Sequence, residues 1–149
     1  MIEVPAAAIR ADQMLSIVDF ASIGTNDLTQ YTMAADRMDG ELAPLLNAWQ
    51  PAVLQMIKFA CEGGRSTGKS IGVCGEAGGD PLLALVLTGL GVGSLSMAPT
   101  KVNAVRAALR LHDLATCQQM AAYALDAPTA EEGRNNVLKL VSPTMLALL

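Results

Sequence analysis

The chain has 149 residues, a formal net charge of −4 and a mean hydropathy of +0.37; 52% of its residues are hydrophobic and 16% are charged. This length suits one domain, and the acidic balance without a basic patch argues against a nucleic-acid partner. Cys61, Cys74 and Cys117 are odd in number and widely spaced, which favours a reduced, cytoplasmic environment over a disulfide framework. Residues 81–100 carry no charge, but their central glycines predict helix, loop and strand rather than a membrane span.

Short apolar runs predict four strands, separated by segments of helical composition. The predicted strands are residues 1–4, 20–24, 70–74 and 93–97. Helices are predicted over residues 6–17, 28–35, 82–88 and 99–111, with a loop or short helix over 38–49. A longer helix is predicted to begin at Pro51 and to end at Gly63, Gly64 and Gly68. Two further helical segments, about 114–125 and 130–140, complete the chain.

This alternation predicts an α/β fold with parallel strands and right-handed crossovers. Residues 1–111 are interpreted as four βα units, and residues 112–149 as a helical tail of the same domain. Because the first predicted strand begins at the first residue, we expect the chain to be the second half of a larger domain. The high apolar content predicts that part of the surface faces another chain or a missing domain. An incomplete domain would leave open sheet edges and an unfilled interior, so we expect two copies to associate as a homodimer.

Polar side chains stand at the carboxyl ends of three predicted strands. Glu3 belongs to the first, Asn26 and Asp27 follow the second, and Cys74 ends the third. The carboxyl ends of parallel strands meet at one rim, where α/β folds bind their ligands. Two carboxylates from neighbouring strands are suitable ligands for Mg²⁺, and Arg37 is close enough in sequence to hold a phosphate or carboxylate there. The sequence therefore predicts a metal and anion site at this rim.

Each of these residues also has an ordinary structural explanation. The carboxylate of Glu3 can pair with a nearby lysine or arginine, and Asp27 can cap the helix that follows it. Arg37 can be a solvated surface residue, and Cys74 an inert buried thiol. His112, the single histidine, lies in the predicted helical tail, residues 112–149, and is expected to have no catalytic role.

A rival motif lies at residues 63–70, where GGRSTGKS matches the phosphate-binding P-loop pattern. A P-loop requires a strand before the glycines and a helix after them, so that backbone amides surround the phosphate. Here a helix is predicted before the motif and a strand after it. The order is reversed, and we interpret the segment as the end of a helix followed by a solvated Lys69.

Four sequence blocks give the chain a resemblance to a known family. They are MIEVP at residues 1–5, SIGTNDLTQY at 22–31, AADR at 34–37 and CGEAGGD at 74–80. In order and spacing they resemble the C-terminal, phosphoenolpyruvate-binding domain of enzyme I of the sugar phosphotransferase system, a domain shared with pyruvate phosphate dikinase and phosphoenolpyruvate synthase. The segment from Pro51 and the tail near Asp126 are also similar to enzyme I.

The resemblance implies a fold and a set of roles. The family domain is a TIM-type (β/α)₈ barrel, of which this chain would supply the last four βα units and the terminal helices. Residues at the positions of Glu3 and Asp27 would bind Mg²⁺, and those of Asn26 and Arg37 would contact phosphoenolpyruvate. The cysteine at Cys74 would protonate enolpyruvate to give pyruvate. The phosphoryl group would pass to a histidine on a separate N-terminal domain and then to an HPr-type carrier protein.

The chain departs from the family pattern in two respects. The early barrel strands, which carry further phosphate-binding arginines, and the phosphohistidine domain are not part of this sequence. We therefore expect the isolated chain to be unable to complete phosphoryl transfer. Two alternatives remain beside the phosphotransferase fragment: a non-catalytic half-barrel module for dimerisation and metal binding, and a P-loop nucleotide hydrolase that uses residues 63–70.

Overall fold

The computed structural model describes residues 1–146 and shows a mixed α/β fold built around a small parallel sheet. The strands are β1 (Phe20–Gly24), β2 (Ser70–Cys74) and β3 (Ser94–Leu95). The helices are α1 (Pro5–Ile9), α2 (Ala11–Leu15), α3 (Thr25–Met33), α4 (Pro51–Thr67), α5 (Pro81–Leu90), α6 (Pro99–Arg110), α7 (Leu114–Leu125), α8 (Ala130–Leu138) and α9 (Pro143–Leu146). Short 3₁₀ turns occupy Gly40–Leu45 and Glu76–Gly79.

The sheet confirms the predicted parallel arrangement. Its strand order is β1-β2-β3, and β1 pairs with β2 over the whole length that the sequence predicted for both, from Phe20 opposite Ser70 to Gly24 opposite Cys74. The strand β3 pairs with β2 through two residues only, so the predicted strand 93–97 is shorter than expected. All three strands run in the same direction, and their carboxyl ends therefore lie at one rim.

The predicted first strand is reduced to a single bridge between Ile2 and Ile23. The amide of Ile2 donates to the carbonyl of Ser22 at 2.8 Å, and its carbonyl accepts from Gly24 at 3.0 Å. Val4 is already the cap residue of α1, whose first residue is Pro5, so too few extended residues remain for a strand. The direction is nevertheless the predicted one, because the bridge is parallel.

Two helix predictions need correction. The predicted helix 6–17 is two short helices, separated at Arg10, whose φ of −107° and ψ of 26° are not helical. The long helix α4 does not end at Gly63 and Gly64; it continues to Thr67 and is capped by Gly68 at a φ of 67°. A glycine inside a helix costs stability, so these two positions need a packing reason.

Close packing supplies that reason. A Cβ atom at Gly63 would lie 2.7 Å from the backbone nitrogen of Asp12, and one at Gly64 would lie 2.7 Å from Cγ1 of Ile71. The two glycines let α4 lie directly against α2 and β2. They are helical and buried, and Lys69 beyond them pairs with Asp19 at 3.7 Å on the way into β2. This geometry excludes the P-loop alternative, since no loop opens toward a phosphate between a strand and a helix.

The core is formed by α5, which is buried on nearly all sides, and by the helices around it. The tail helix α7 packs against α5 at Gly89, where a Cβ atom would lie 2.5 Å from the carbonyl carbon of Cys117. His112 links α6 to the segment before α9: its Nε2 accepts from the amide of Ser142 at 3.0 Å, and its Nδ1 lies 2.9 Å from the carbonyl of Ala108. None of the helices in residues 1–146 has the length and hydrophobicity that crossing a bilayer requires.

Candidate functional site

The rim of the sheet brings the ends of β1 and β2 together. Gly24 and Cys74 are paired neighbours, and α3 begins immediately after Gly24. Asn26 and Asp27 therefore lie in the first turn of a helix that points away from the rim. The structural explanation of Asp27 as the cap of this helix is wrong, because Gly24 occupies the cap position. A carboxylate in the first turn still interacts favourably with the positive end of the helix dipole.

Glu3 lies at the same rim, on the other side of β1. The bridge at Ile2 places it beside Gly24, and a Cβ atom on Gly24 would lie 2.8 Å from both Cγ and Oε1 of Glu3. Gly24 is thus a point of close approach, over which the Glu3 carboxylate extends. Because Gly24 also pairs with Cys74, the Glu3 carboxylate and the Cys74 backbone flank the same residue.

Cys74 is half-buried, with its side chain held against β1. Its sulfur donates to the carbonyl of Ile23 at 3.4 Å, and its own carbonyl accepts from Oγ1 of Thr25 at 3.3 Å. A thiol can donate this bond only when protonated. The following residue, Gly75, has a φ of 105°, and a Cβ there would lie 3.0 Å from Thr25 Oγ1, so the chain can turn sharply after the cysteine only because a glycine is present.

The other two cysteines have a different environment. Cys61 is buried in α4, and burial raises its pKa to about 12, although the nearby Arg65 guanidinium acts in the opposite direction. Burial also raises the pKa of Cys117 in α7. Both thiols are therefore protonated and unreactive at neutral pH, as expected of thiols that fill a core. Among the three cysteines, Cys74 alone lies at the rim.

Arg37 returns to the rim through an unusual turn. The helix α3 ends at Ala34, a non-glycine residue in the left-handed conformation with a φ of 51°. This reversal brings the guanidinium back over the helix, where its Nη2 donates to Asp27 Oδ1 at 2.6 Å and its Nε donates to Gln30 Oε1 at 2.7 Å. Asp27 and Arg37 are each rather less than half exposed. Asp27, the predicted metal ligand, and Arg37, the predicted anion-binding residue, therefore form an ion pair with each other.

Two adjoining clefts open at the rim. The first, of about 560 Å³, is lined by Asn26, Arg37, Trp49 and the segments around them. The second, of about 670 Å³, extends from Asn26 toward the end of β3 and reaches Lys101. Asn26, Glu76 and Asp80 line both clefts, so together the two form one continuous depression across the carboxyl end of the sheet.

Trp49 and Asp80 line the first cleft and are hydrogen-bonded to each other. Neither was predicted from the sequence to be a site residue. The indole Nε1 of the buried Trp49 donates to Asp80 Oδ2 at 3.2 Å. The other carboxylate oxygen of Asp80 caps α5 by accepting from the amides of Leu82 at 2.9 Å and Leu83 at 3.2 Å. The segment after Arg37 is thereby tied to the turn after Cys74. A tryptophan in a loop carries no motif, so only the three-dimensional contact reveals this role.

The structure thus places the predicted residues at one rim, in two groups. Asn26 and Arg37 line the first cleft, whereas the described linings of the two clefts do not include Glu3, Asp27 or Cys74. Glu3 and Cys74 both lie beside Gly24, and Asp27 contacts the lining of the first cleft through its ion pair with Arg37. Within residues 1–146 no group of three or more histidine, cysteine and acidic side chains is suited to hold a metal. A metal held here would have at most two protein carboxylates.

Comparisons with known proteins show the family of this chain. Residues 1–114 match the family described as PEP-utilising enzyme, PEP-binding domain, and the chain therefore belongs to that family. It is 51% identical over 142 residues to a phosphoenolpyruvate-protein phosphotransferase of Streptomyces coelicolor, covering 95% of this chain and 26% of that protein.

A multiphosphoryl transfer protein of Xanthomonas campestris pv. campestris is 51% identical over 134 residues, which is 90% of this chain and 16% of that protein. A phosphoenolpyruvate-protein phosphotransferase of Latilactobacillus sakei is 40% identical over 139 residues, or 93% of this chain and 24% of that protein. The chain thus spans about a quarter or less of the length of these three relatives.

Proposed function

We propose that this chain is the substrate-binding part of a phosphoenolpyruvate–protein phosphotransferase. The observation that carries the proposal is the position of Asn26 and Arg37 in one cleft at the carboxyl end of a parallel sheet, beside Glu3, Asp27 and Cys74. Such a rim, with an amide, a guanidinium, carboxylates and a thiol, suits a small ligand that carries a phosphate and a carboxylate. The membership of the family supports the same ligand.

The carboxylates of Glu3 and Asp27 fit a magnesium ion by their chemistry. Mg²⁺ prefers oxygen ligands and keeps several positions for water and substrate phosphate, so two carboxylates are sufficient. When bound, the ion would neutralise charge on the phosphate that is transferred. In this structure Asp27 has Arg37 as its partner, at 2.6 Å, so the carboxylate that would receive a cation already holds one.

In the proposed reaction Asn26 and Arg37 hold phosphoenolpyruvate while the P–O bond to its enol oxygen breaks. The phosphoryl group passes to a ring nitrogen of a histidine on another domain, and enolpyruvate remains. The Cys74 thiol donates its proton to the methylene carbon, which yields pyruvate and a thiolate that water reprotonates. The position of Cys74 supports this role, because its half-buried side chain lies at the rim next to Gly24, where a proton donor is needed.

The proposal extends to the rest of the molecule. Parallel strands in the order of the sequence, joined through helices, are compatible with the last four units of a (β/α)₈ barrel, with Ile2 at the position of the fifth strand. The remaining strands, the phosphohistidine domain and the carrier protein would come from outside this sequence. We further propose a cytoplasmic homodimer, in line with the reduced cysteines and the high apolar content.

Calorimetric titration with phosphoenolpyruvate and Mg²⁺ tests the binding, in an intact phosphotransferase that contains this sequence and whose acceptor histidine is replaced by alanine, so that no phosphoryl transfer follows. We expect Arg37→Ala to weaken binding about tenfold or more, because a charge-assisted contact is lost, and Arg37→Lys to restore only part of it. Lys139→Ala, at the exposed residue that follows the last turn of α8, is the matched control. If this enzyme gave no heat with phosphoenolpyruvate, or if its Arg37→Ala variant bound as well as the control, the proposed binding would be wrong.

The role of Cys74 requires an intact phosphotransferase that contains this sequence. Cys74→Ala is expected to abolish turnover while phosphoenolpyruvate and Mg²⁺ still bind, and Cys117→Ala, a buried thiol away from the rim, is expected to retain activity. Full turnover by the Cys74→Ala enzyme would eliminate the acid role.

A further inference from the structure

We propose that Lys101 is a further substrate-binding residue, which contacts an anionic group of phosphoenolpyruvate from the side of the cleft opposite Arg37. This inference rests on the proposed function. Lys101 belongs to α6, and no block of the resembled family pattern includes it. Its position in the second cleft, which shares Asn26 with the first, is what brings it to the ligand.

The position of Lys101 is fixed by close packing at its stem. A Cβ atom on Gly79 would lie 3.3 Å from Cγ and 3.5 Å from Cβ of Lys101, so the aliphatic stem lies on the backbone of the turn after Cys74. The same turn is pressed against the end of β3, since a Cβ on Gly78 would lie 2.8 Å from the carbonyl oxygen of Ser96. The root of the lysine side chain is therefore held, and its ammonium group can extend along the cleft.

The charges of the residues that line the two clefts favour a second cationic side chain beside Arg37. Two cationic residues, Arg37 and Lys101, and two acidic residues, Glu76 and Asp80, line the two clefts. Arg37 already donates to Asp27. Without Lys101 the lining would be net negative and would repel a substrate that carries both a phosphate and a carboxylate.

Lys101 is also available for such a contact. Among residues 1–146, the ion pairs within 4.0 Å involve Arg37, Lys58 and Lys69 but not Lys101. A lysine ammonium acts as a compact point charge and is well suited to phosphate. A ligand at Asn26 would then have the guanidinium on one side and the ammonium on the other, one for each of its anionic groups.

The test compares Lys101→Met with the unaltered sequence by calorimetric titration with phosphoenolpyruvate and Mg²⁺, both in an intact phosphotransferase whose acceptor histidine is replaced by alanine. Methionine keeps an aliphatic stem on Gly79 and removes the charge. We expect Lys101→Met to lower the affinity about five- to tenfold, and Lys101→Arg to keep the affinity of the unaltered sequence. The difference between Lys101→Met and the unaltered sequence should become smaller at high salt, where the contact is screened. Lys69→Met, which lies at the amino end of β2, is the control and is expected to bind as well as the unaltered chain. Circular dichroism and thermal unfolding check that both variants fold.

Titration with inorganic phosphate and with pyruvate identifies the anionic group. A loss of affinity confined to phosphate assigns Lys101 to the phosphate, and one confined to pyruvate assigns it to the carboxylate; either supports the inference. Equal affinity of Lys101→Met and Lys69→Met for phosphoenolpyruvate would overturn it and would leave the proposed function intact. If the intact enzyme with the unaltered sequence failed to bind phosphoenolpyruvate, the proposed function itself would fall, and this inference with it.

Discussion

Replacement of Gly89 by alanine should separate the tail helix α7 from the core. The new Cβ would lie 2.5 Å from the carbonyl carbon of Cys117 and 2.9 Å from the backbone nitrogen of Gln118. Carbon atoms in contact are about 3.5–4.0 Å apart, so the two helix backbones must move apart by about 1 Å. A flexible side chain can move away from such an overlap, but these are backbone atoms of an adjoining helix.

Two opposing effects set the magnitude. Alanine in place of glycine favours a helix interior by about 1 kcal/mol. Overpacking of a dense core costs about 1–3 kcal/mol and occasionally more, and an overlap with backbone belongs at the upper end of that range. We therefore expect a net loss of about 2 kcal/mol in the free energy of unfolding, which for a chain of this length lowers Tm by about 4–8 °C.

Urea unfolding followed by circular dichroism measures this change. The control is Gly40→Ala, because a Cβ at Gly40 meets no atom within 4 Å and its φ is not positive; its effect should stay within about 0.5 kcal/mol. A Gly89→Ala chain as stable as the control, or more stable, would refute the reasoning. It would mean that α7 does not lie directly on α5, and that residues 112–146 are less firmly packed on the core than the contact at Gly89 indicates.

Two further predictions concern the rim and its surroundings. At pH 8 a thiol reagent should modify Cys74 first, and should reach Cys61 and Cys117 only in denaturant, because burial raises the pKa of both buried thiols; equal native labelling of all three would contradict this. Asp80→Ala should lower the free energy of unfolding by about 2–4 kcal/mol, because the cap of α5 is lost and the indole N–H of Trp49 stays buried without its partner. Asp80→Asn keeps an acceptor oxygen and should lower the free energy of unfolding by less. Unfolding followed by the emission of the single tryptophan should show this difference. Equal effects of the two substitutions would refute this account.

Much of the sheet could be predicted from the sequence, because apolar runs and strand length are local properties. The ranges of β1 and β2 were predicted to the residue. The first strand was not, because the proline at position 5 begins a helix so early that only Ile2 pairs with β1. Gly63 and Gly64 were interpreted as a helix end, which is their local preference, but their positions are determined by the close approach of α2 and β2.

The site was partly predictable for the same reason. The rim position of Glu3, Asn26, Asp27 and Cys74 follows from strand polarity alone. The contact of Arg37 with Asp27 depends on a left-handed alanine at position 34, which no propensity indicates. Trp49, Asp80 and Lys101 come to the clefts from separate elements, and their sequence spacing contains no period or motif that would have related them.

The ion pair between Asp27 and Arg37 has a thermodynamic consequence for ligand loading. The Asp27 carboxylate is the proposed ligand of a divalent cation, and the Arg37 guanidinium is proposed to bind an anion. A cation that binds Asp27 must displace Arg37, and an anion that binds Arg37 must displace Asp27. Linkage then requires that whichever arrives first raises the affinity for the second, by the same factor in both directions. Without ligands the two charges neutralise each other, and the ion pair would open readily only when the cation and the anion are both present.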